Sequence, residues 1–342
     1  MSITFREIHD TYPALEKTAA LAEARAGDFR KLLKGTDKPV VYIGCGSSYS
    51  VAKSLAVITW TQLRRTSFAL AGGDLLIHAS TYTPCLDGAI LVAVSRSGQT
   101  SEMLRAVEKL KALGCRFSLV SYCCVEDSPL SAASELALDM PWAFDESVCQ
   151  TRCVTCLYTC GAMLVALASG NDALAADLRK VIAQGPAYMA RIEPQIEQAA
   201  SSGWTHAVVL GDAEIGGLCE EGSLTYKEIC QLPSNYYHLL DSRHGPMVLF
   251  KKDTLVVIAT SGDALELDLV SDVVRKGSQV IVFSDQPVEI EGALTIAFGE
   301  PLAHIARGIP FLLINQLLSY HKSVQTGVNP DLPDGLDPWI KL

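Results

Sequence analysis

The chain has 342 residues, 49% of them hydrophobic, and a net charge of −10 with a pI near 5.2. That length holds one large α/β unit or two ordinary domains, with enough apolar residues for a sizeable core. No Lys/Arg block interrupts the acidic balance, which argues against nucleic acid as a partner and leaves open a phosphorylated substrate held at one locally positive site.

Residues 1–34 are charged and helical in pattern, with Ile8, Leu15, Ala19, Ala22 and Phe29 on the apolar side. Pro39 to Ile43 is a buried-strand candidate, followed by Gly44-Cys45-Gly46-Ser47-Ser48-Tyr49-Ser50 and an apolar helix over about Tyr49 to Gln62. The Gly-x-Gly there lacks the third glycine of a dinucleotide fingerprint, and no acidic residue ends a following strand to take a ribose. Ser67 to Leu70 is a short strand candidate, and Gly72-Gly73-Asp74 opens a short helix.

Ala89 to Val94 is a second short apolar run, a buried-strand candidate. It turns polar over Ser95-Arg96-Ser97-Gly98-Gln99-Thr100. It resumes as an amphipathic helix with Met103, Leu104, Val107, Leu110 and Leu113 apolar. Strand, small-residue loop and helix start make an anion site: the first helical amides lack internal partners and the dipole adds positive potential. Ser95, Ser97 and Thr100 carry hydroxyls for a phosphate, and Ser47 and Ser48 offer a second wall. The alternative is a strand–turn–helix whose hydroxyls serve only as caps. Arg96 could pair with phosphate, or with a carboxylate on an amino-acid adduct.

Arg116 to Tyr122 and Leu136 to Met140 are further strands. Asp145-Glu146-Ser147 is a helix-start signal, with helix over Val148 to Ala168. That apolar run is short for a membrane span, is broken by Thr, Tyr, Cys and Gly, and reads as a buried helix. Among 11 cysteines, Cys149, Cys153, Cys156 and Cys160 recur at helical spacing and read as small buried apolar residues. No second Cys/His pair completes a zinc site, so neither metal nor cofactor is expected. The cysteine usage and the absence of a signal-peptide pattern imply a reducing cytoplasm and no membrane. Residues 172 to 203 read as helix and linker.

The second half repeats the first. Thr205 to Gly211 mirrors Val40 to Gly44, Leu255 to Gly262 mirrors Leu91 to Gly98, and Gln279 to Ser284 mirrors Arg116 to Tyr122. The offsets are 167 for Gly44 to Gly211 and 164 for Gly98 to Gly262. The expectation is an α/β fold of two similar doubly wound subdomains, parallel sheets flanked by helices. The expected division is a helical segment 1–34, a first subdomain 35–170, a linker 171–203, a second subdomain 204–325 and a tail 326–342. The second copy's loops carry Asp212, Glu214 and Asp263, which repel phosphate, so its anion site is expected to be lost.

Between Cys219 and Pro246 the second half offers different chemistry. Glu221 and Glu228 are seven apart and share a helix face, with Pro233 ending that helix near Gln231. His244-Gly245-Pro246 follows on a turn, 16 residues after Glu228. A Glu and a His in one cleft suit aldose/ketose chemistry: the His moves a proton at the ring oxygen, the Glu one between C1 and C2. The alternative is a solvated Glu and a capping His.

Four segments in order, Gly44 to Tyr49, Ser95 to Thr100, Glu221-Gly222 through Lys227-Glu228, and His244-Gly245-Pro246, resemble the sugar isomerase (SIS) domain family as a tandem pair. The arrangement is similar to the isomerase half of glucosamine-6-phosphate synthase over nearly the whole chain. The resemblance implies that Ser48, Ser95, Ser97 and Thr100 hold the sugar phosphate, with Ser47 and Arg96 as further candidates beside them. It implies that Glu228 is the proton-transfer base and His244 the ring-opening acid, acting in a partner subunit's site, hence a homodimer. Cys45, Val148, Glu221 and Lys341 are further candidates for substrate contact. No glutamine-hydrolysing domain precedes residue 40, which implies no ammonia source. Asp337 and Pro338 follow Pro333-Asp334-Gly335-Leu336 where the synthase carries its tail lysine, and Lys341 is displaced. The tail resembles stand-alone fructosamine-6-phosphate deglycases and amino-sugar-phosphate deaminase/isomerases instead. The implied activity is at C1/C2 of a 6-phosphorylated amino sugar or sugar–amine adduct. The competing readings are a phosphosugar sensor without catalysis and a nicotinamide dehydrogenase.

Overall fold

The computed structural model describes residues 2–336. The chain divides into two compact units. One is His9–Glu146 with Gln150–Ile182; the other is Ala183–Leu336 with Ser147–Cys149 and the chain start through Ile8.

In the first unit, strands β1 (Val40–Gly44), β2 (Ser67–Ala71), β3 (Ala89–Ser95), β4 (Phe117–Cys123) and β5 (Leu136–Asp139) form a parallel sheet ordered β2-β1-β3-β4-β5. In the second, β6 (His206–Leu210), β7 (Ser234–Tyr237), β8 (Thr254–Ala259), β9 (Gln279–Ser284) and β10 (Leu294–Ala297) form another, ordered β10-β9-β8-β6-β7. With β6 set against β1, the two orders are identical. The expected pair of doubly wound subdomains is therefore present in topology as well as in pattern. Every residue of β1, β3 and β8 is buried, which is why these strands read as unbroken apolar runs rather than alternating ones.

Helix Arg152–Ser169 lies inside the first unit, packed on helices Thr11–Lys34 and Ser47–Leu63. A Cβ on Gly161 would fall 2.6 Å from Leu55 Cδ2, so glycine sets how closely two of these helices approach. Cys153, Cys156 and Cys160 are fully buried in this packing. The helix is long and apolar enough to cross a membrane, yet 78% of it is buried against protein. It starts at Arg152 rather than near Val148. The Asp145 carboxylate accepts from the amides of Thr151 (2.8 Å) and Cys153 (3.0 Å), so the acidic start signal acts across a six-residue loop rather than from the adjoining position. Burial holds the Asp145 pKa above the ordinary carboxylate value, against the lowering effect of those amides.

Candidate active site

At the β1 end, Gly44 admits no side chain: a Cβ would lie 2.6 Å from the Ser48 carbonyl carbon. That close approach folds the chain straight into helix Ser47–Leu63, with Gly46 at φ 53° supplying the turn. The helix begins two residues before the expected Tyr49. Ser47 and Ser48 therefore sit within its first turn, only 3% and 4% exposed. Cys45 beside them is half-buried, and burial, with Glu102 nearby, pushes its thiol up to about 11, so it stays protonated.

At the β3 end, the Ser95 hydroxyl accepts from the Gly98 amide (3.0 Å) and the Ser97 hydroxyl from the Gln99 amide (3.2 Å). Helix Ser101–Ala112 follows, with Thr100 at its N-cap position. Gly98 adopts φ +62°, and a Cβ there would lie 2.1 Å from Ser128 Oγ. The Leu130 amide donates to the Gly98 carbonyl (3.1 Å) and the Cys124 amide to Arg96 (3.0 Å), bracing the loop from below. Ser95 is buried, while Ser97 and Thr100 keep partial exposure. Arg96 is 6% exposed with its guanidinium 6.0 Å from the centre of the Phe144 ring, a buried cation on an aromatic face.

β1 and β3 are neighbours, and their ends lie side by side, Ile43 against Ala93. From there the chain leaves β1 toward β2 on one side and β3 toward β4 on the other. Both hydroxyl-lined loops thus open at the point where the strand order reverses, the position at which doubly wound sheets form their ligand crevice. Gly114 shares the positive φ of Gly98 (+76°) but has nothing within 4 Å of a built Cβ. Gly98→Ala is therefore expected to destabilise the chain by about 1–3 kcal/mol more than Gly114→Ala in urea unfolding; equal losses would show that the Ser128 contact yields freely.

The remaining candidates lie in the other unit. Helix Gly216–Glu228 runs back along the second sheet from the β6 end. Gly222 lets it lie against helix His304–Thr326, where a Cβ would meet Asn315 Cγ at 2.9 Å, and Tyr226 Oη donates to Asn315 Oδ1 at 3.0 Å. Glu221 is buried, 1% exposed; Glu228, two helical turns later on the same face, is half-buried at the last turn. Gln231 at φ 52° and the Leu232 amide on Tyr226 O (3.0 Å) end the helix before Pro233. β7 then leads to the short helix Leu240–His244. Arg243 there pairs with Asp268 (2.8 Å) and Asp272 (2.5 Å), tethering the segment to helix Ala264–Arg275. Gly245 at φ 143° and Pro246 complete the predicted turn, and His244 is exposed.

The strand directions separate the two expected proton carriers. Glu228 ends a 13-residue helix that has returned to the edge where β7 begins. His244 lies past the edge where β7 ends. A helix of that length spans about 20 Å. One chain therefore carries the two side chains at opposite edges of one sheet. Val148 is buried, its amide donating to the Asp331 carbonyl at 3.2 Å. Lys341 lies outside the described residues.

Comparison with known proteins agrees with this architecture. The family model described as SIS domain matches residues 36–169. The glutamine–fructose-6-phosphate aminotransferase (isomerizing) of Pectobacterium atrosepticum is 29% identical over 262 residues, 72% of this chain and 43% of that protein. The chain thus spans less than half the length of that curated relative. The C-terminal domain of glucosamine-fructose-6-phosphate aminotransferase from Francisella tularensis superposes with a TM-score of 0.86 at 21% identity, covering 97% of this chain and 98% of that one. A glucosamine-6-phosphate deaminase from Thermotoga maritima superposes with a TM-score of 0.82 at 24% identity over the full length of both. The chain thus carries a SIS domain over residues 36–169, in the first of two matching subdomains, and its whole length takes the fold of these two solved structures.

Proposed function

We propose that this protein is a phosphosugar-processing enzyme acting at C1/C2 of a 6-phosphorylated amino sugar or fructosamine-type adduct. The observation that carries the reading is the pair of hydroxyl-lined loops opening side by side at the β1/β3 switch point. Ser47, Ser48, Ser95, Ser97 and Thr100 would hold the phosphate, aided by the helix N-termini; buried Arg96 would add positive potential. Glu228 would relay the proton between C1 and C2 and His244 the proton of the ring oxygen. Cys45, Val148 and Glu221 would line the sugar. Deglycase or deaminase chemistry is favoured over plain isomerisation because Asp337 and Pro338 stand where the synthase tail carries lysine. There, shifting the C1 proton turns the C–N linkage into an imine, water adds to it, and the amine leaves.

The opposite-edge placement of Glu228 and His244 supports a homodimer, in which a site would combine Glu228 with His244 of the partner subunit. Leu240, Val248 and Leu249 are 38%, 72% and 43% exposed around His244, an apolar surface suited to such a contact. Nine buried free cysteines support a reducing cytoplasm.

A panel of 6-phosphorylated ketosamines and amino sugars, scored for released amine and for hexose 6-phosphate, tests the assignment. Amine release from at least one member is expected. Binding without turnover across the panel would favour the sensor reading; neither binding nor turnover would end both.

A further inference from the structure

The second copy of the anion loop is present in this chain, and it is already occupied. The offset that relates Gly98 to Gly262 also relates Ser97 to Ser261 and Glu102 to Glu266. The loop turn is kept: the Asp263 amide donates to Ser261 Oγ at 3.3 Å, as the Gln99 amide does to Ser97 Oγ at 3.2 Å. The occupant differs. Glu266 Oε2 accepts from the Thr260 hydroxyl (2.7 Å), the Ser261 amide (2.6 Å) and the Ser261 hydroxyl (3.0 Å). One main-chain and two hydroxyl donors thus converge on a single anionic oxygen, the pattern by which small-residue loops hold phosphate. In the first copy Glu102 makes no such contact. Its Oε2 is buried without a hydrogen-bond partner among the described residues, and the Ser97 hydroxyl has no carboxylate on it.

We propose that Glu266 is a built-in occupant of a degenerate anion loop. It satisfies from within the donors that the first loop leaves for a phosphate, and so limits each chain to one phosphorylated ligand. The loss of the second anion site, expected from Asp212, Glu214 and Asp263, then has a different agent. Asp212 pairs with His238 (2.6 Å), Glu214 with His304 (3.0 Å), and Asp263 caps the following helix through the Leu265 amide (2.8 Å). Only Glu266 takes the loop donors. Removing it opens a site for a small oxyanion at Thr260 to Ala264.

The limit of one ligand rests on the phosphate role proposed for the first loop; the occupancy of the second does not, and the test separates them. Wild type, Glu266→Ala and Glu266→Gln are unfolded thermally across a series of sodium formate and inorganic phosphate, with sodium chloride matching ionic strength. Glu266→Ala is expected to melt roughly 5 °C lower and to recover most of that in formate or phosphate. Wild type should not respond to formate, and Glu266→Gln, whose amide still fills the loop, should show little recovery. If Glu266→Ala fails to fold alone, the same anions should restore its far-ultraviolet dichroism. Calorimetric titration with inorganic phosphate should find one more site in Glu266→Ala than in wild type, whatever number wild type shows. Wild type with no phosphate site but a formate-rescued variant would remove the first-loop role and keep this one. No anion-specific recovery in Glu266→Ala, or equal stabilisation of all three proteins, would overturn it.

Discussion

Glu228→Gln is expected to lower kcat by about a hundred- to ten-thousand-fold, the usual contribution of a positioned general base, while leaving KM for the phosphorylated substrate nearly unchanged. The amide keeps the size of the carboxylate and one acceptor oxygen, but it cannot take a proton from carbon. Glu228 belongs to the helix Gly216–Glu228, whereas the loops proposed to hold phosphate are built on β1 and β3 of the other subdomain. Substrate affinity should therefore survive, and calorimetric binding of a non-reactive hexose 6-phosphate should match wild type. A variant that kept full kcat would remove Glu228 from the mechanism. One that lost binding in proportion to kcat would place it in substrate holding instead.

How much of this was legible before the structure follows from which physical signals are local. The buried parallel strands announced themselves, because a strand covered on both faces must be apolar at every position, as in Ala89–Ser95. The repeat was legible for the same reason, since its landmarks are glycines that the turn geometry demands. β7 was not: Ser234–Tyr237 reads Ser-Asn-Tyr-Tyr, an edge strand carrying no apolar alternation. The start of helix Arg152–Ser169 was misplaced because its amides are capped by Asp145 across a loop, and local pattern rules look only to the adjoining residue. Leu113 fits the helical apolar stripe but falls one residue past the helix and is 46% exposed. At the candidate site, residue types were legible and distances were not. A Glu and a His 16 residues apart suggested one cleft. Only the path of helix Gly216–Glu228 and strand β7 reveals that a chain carries them at opposite edges. Glu266 carries no local signal, because a glutamate in a helix's first turn is ordinary. The signal that finds it is its register with Glu102.

That opposite-edge placement yields the second large expected effect. Glu228→Gln and His244→Asn are each expected to be nearly inactive as pure proteins. Mixed at equal concentration, unfolded and refolded together, they should regain about a quarter of wild-type activity, because half the dimers are mixed and half the sites in each mixed dimer are intact. Arithmetic distinguishes this from other arrangements. If each site drew both residues from one chain, every site in every dimer would lack one of them and mixing would restore nothing. If either variant alone were active, the sum would be linear in its share. The tether of Arg243 to Asp268 and Asp272 makes the effect separable from simple misfolding. Arg243→Gln leaves His244 in the chain but frees the segment that presents it. Such a variant should lose activity in its own homodimer yet complement Glu228→Gln about as well as His244→Asn does, because in the mixed dimer the intact Glu228 would be served by the anchored His244 of the Glu228→Gln chain. It should complement His244→Asn only weakly, because there the loosened His244 would serve the intact Glu228. Full activity from Arg243→Gln alone, or strong complementation of His244→Asn by it, would show that the segment needs no anchor. Absence of any recovery between Glu228→Gln and His244→Asn, with size-exclusion evidence that mixed dimers form, would rule out sites shared between subunits.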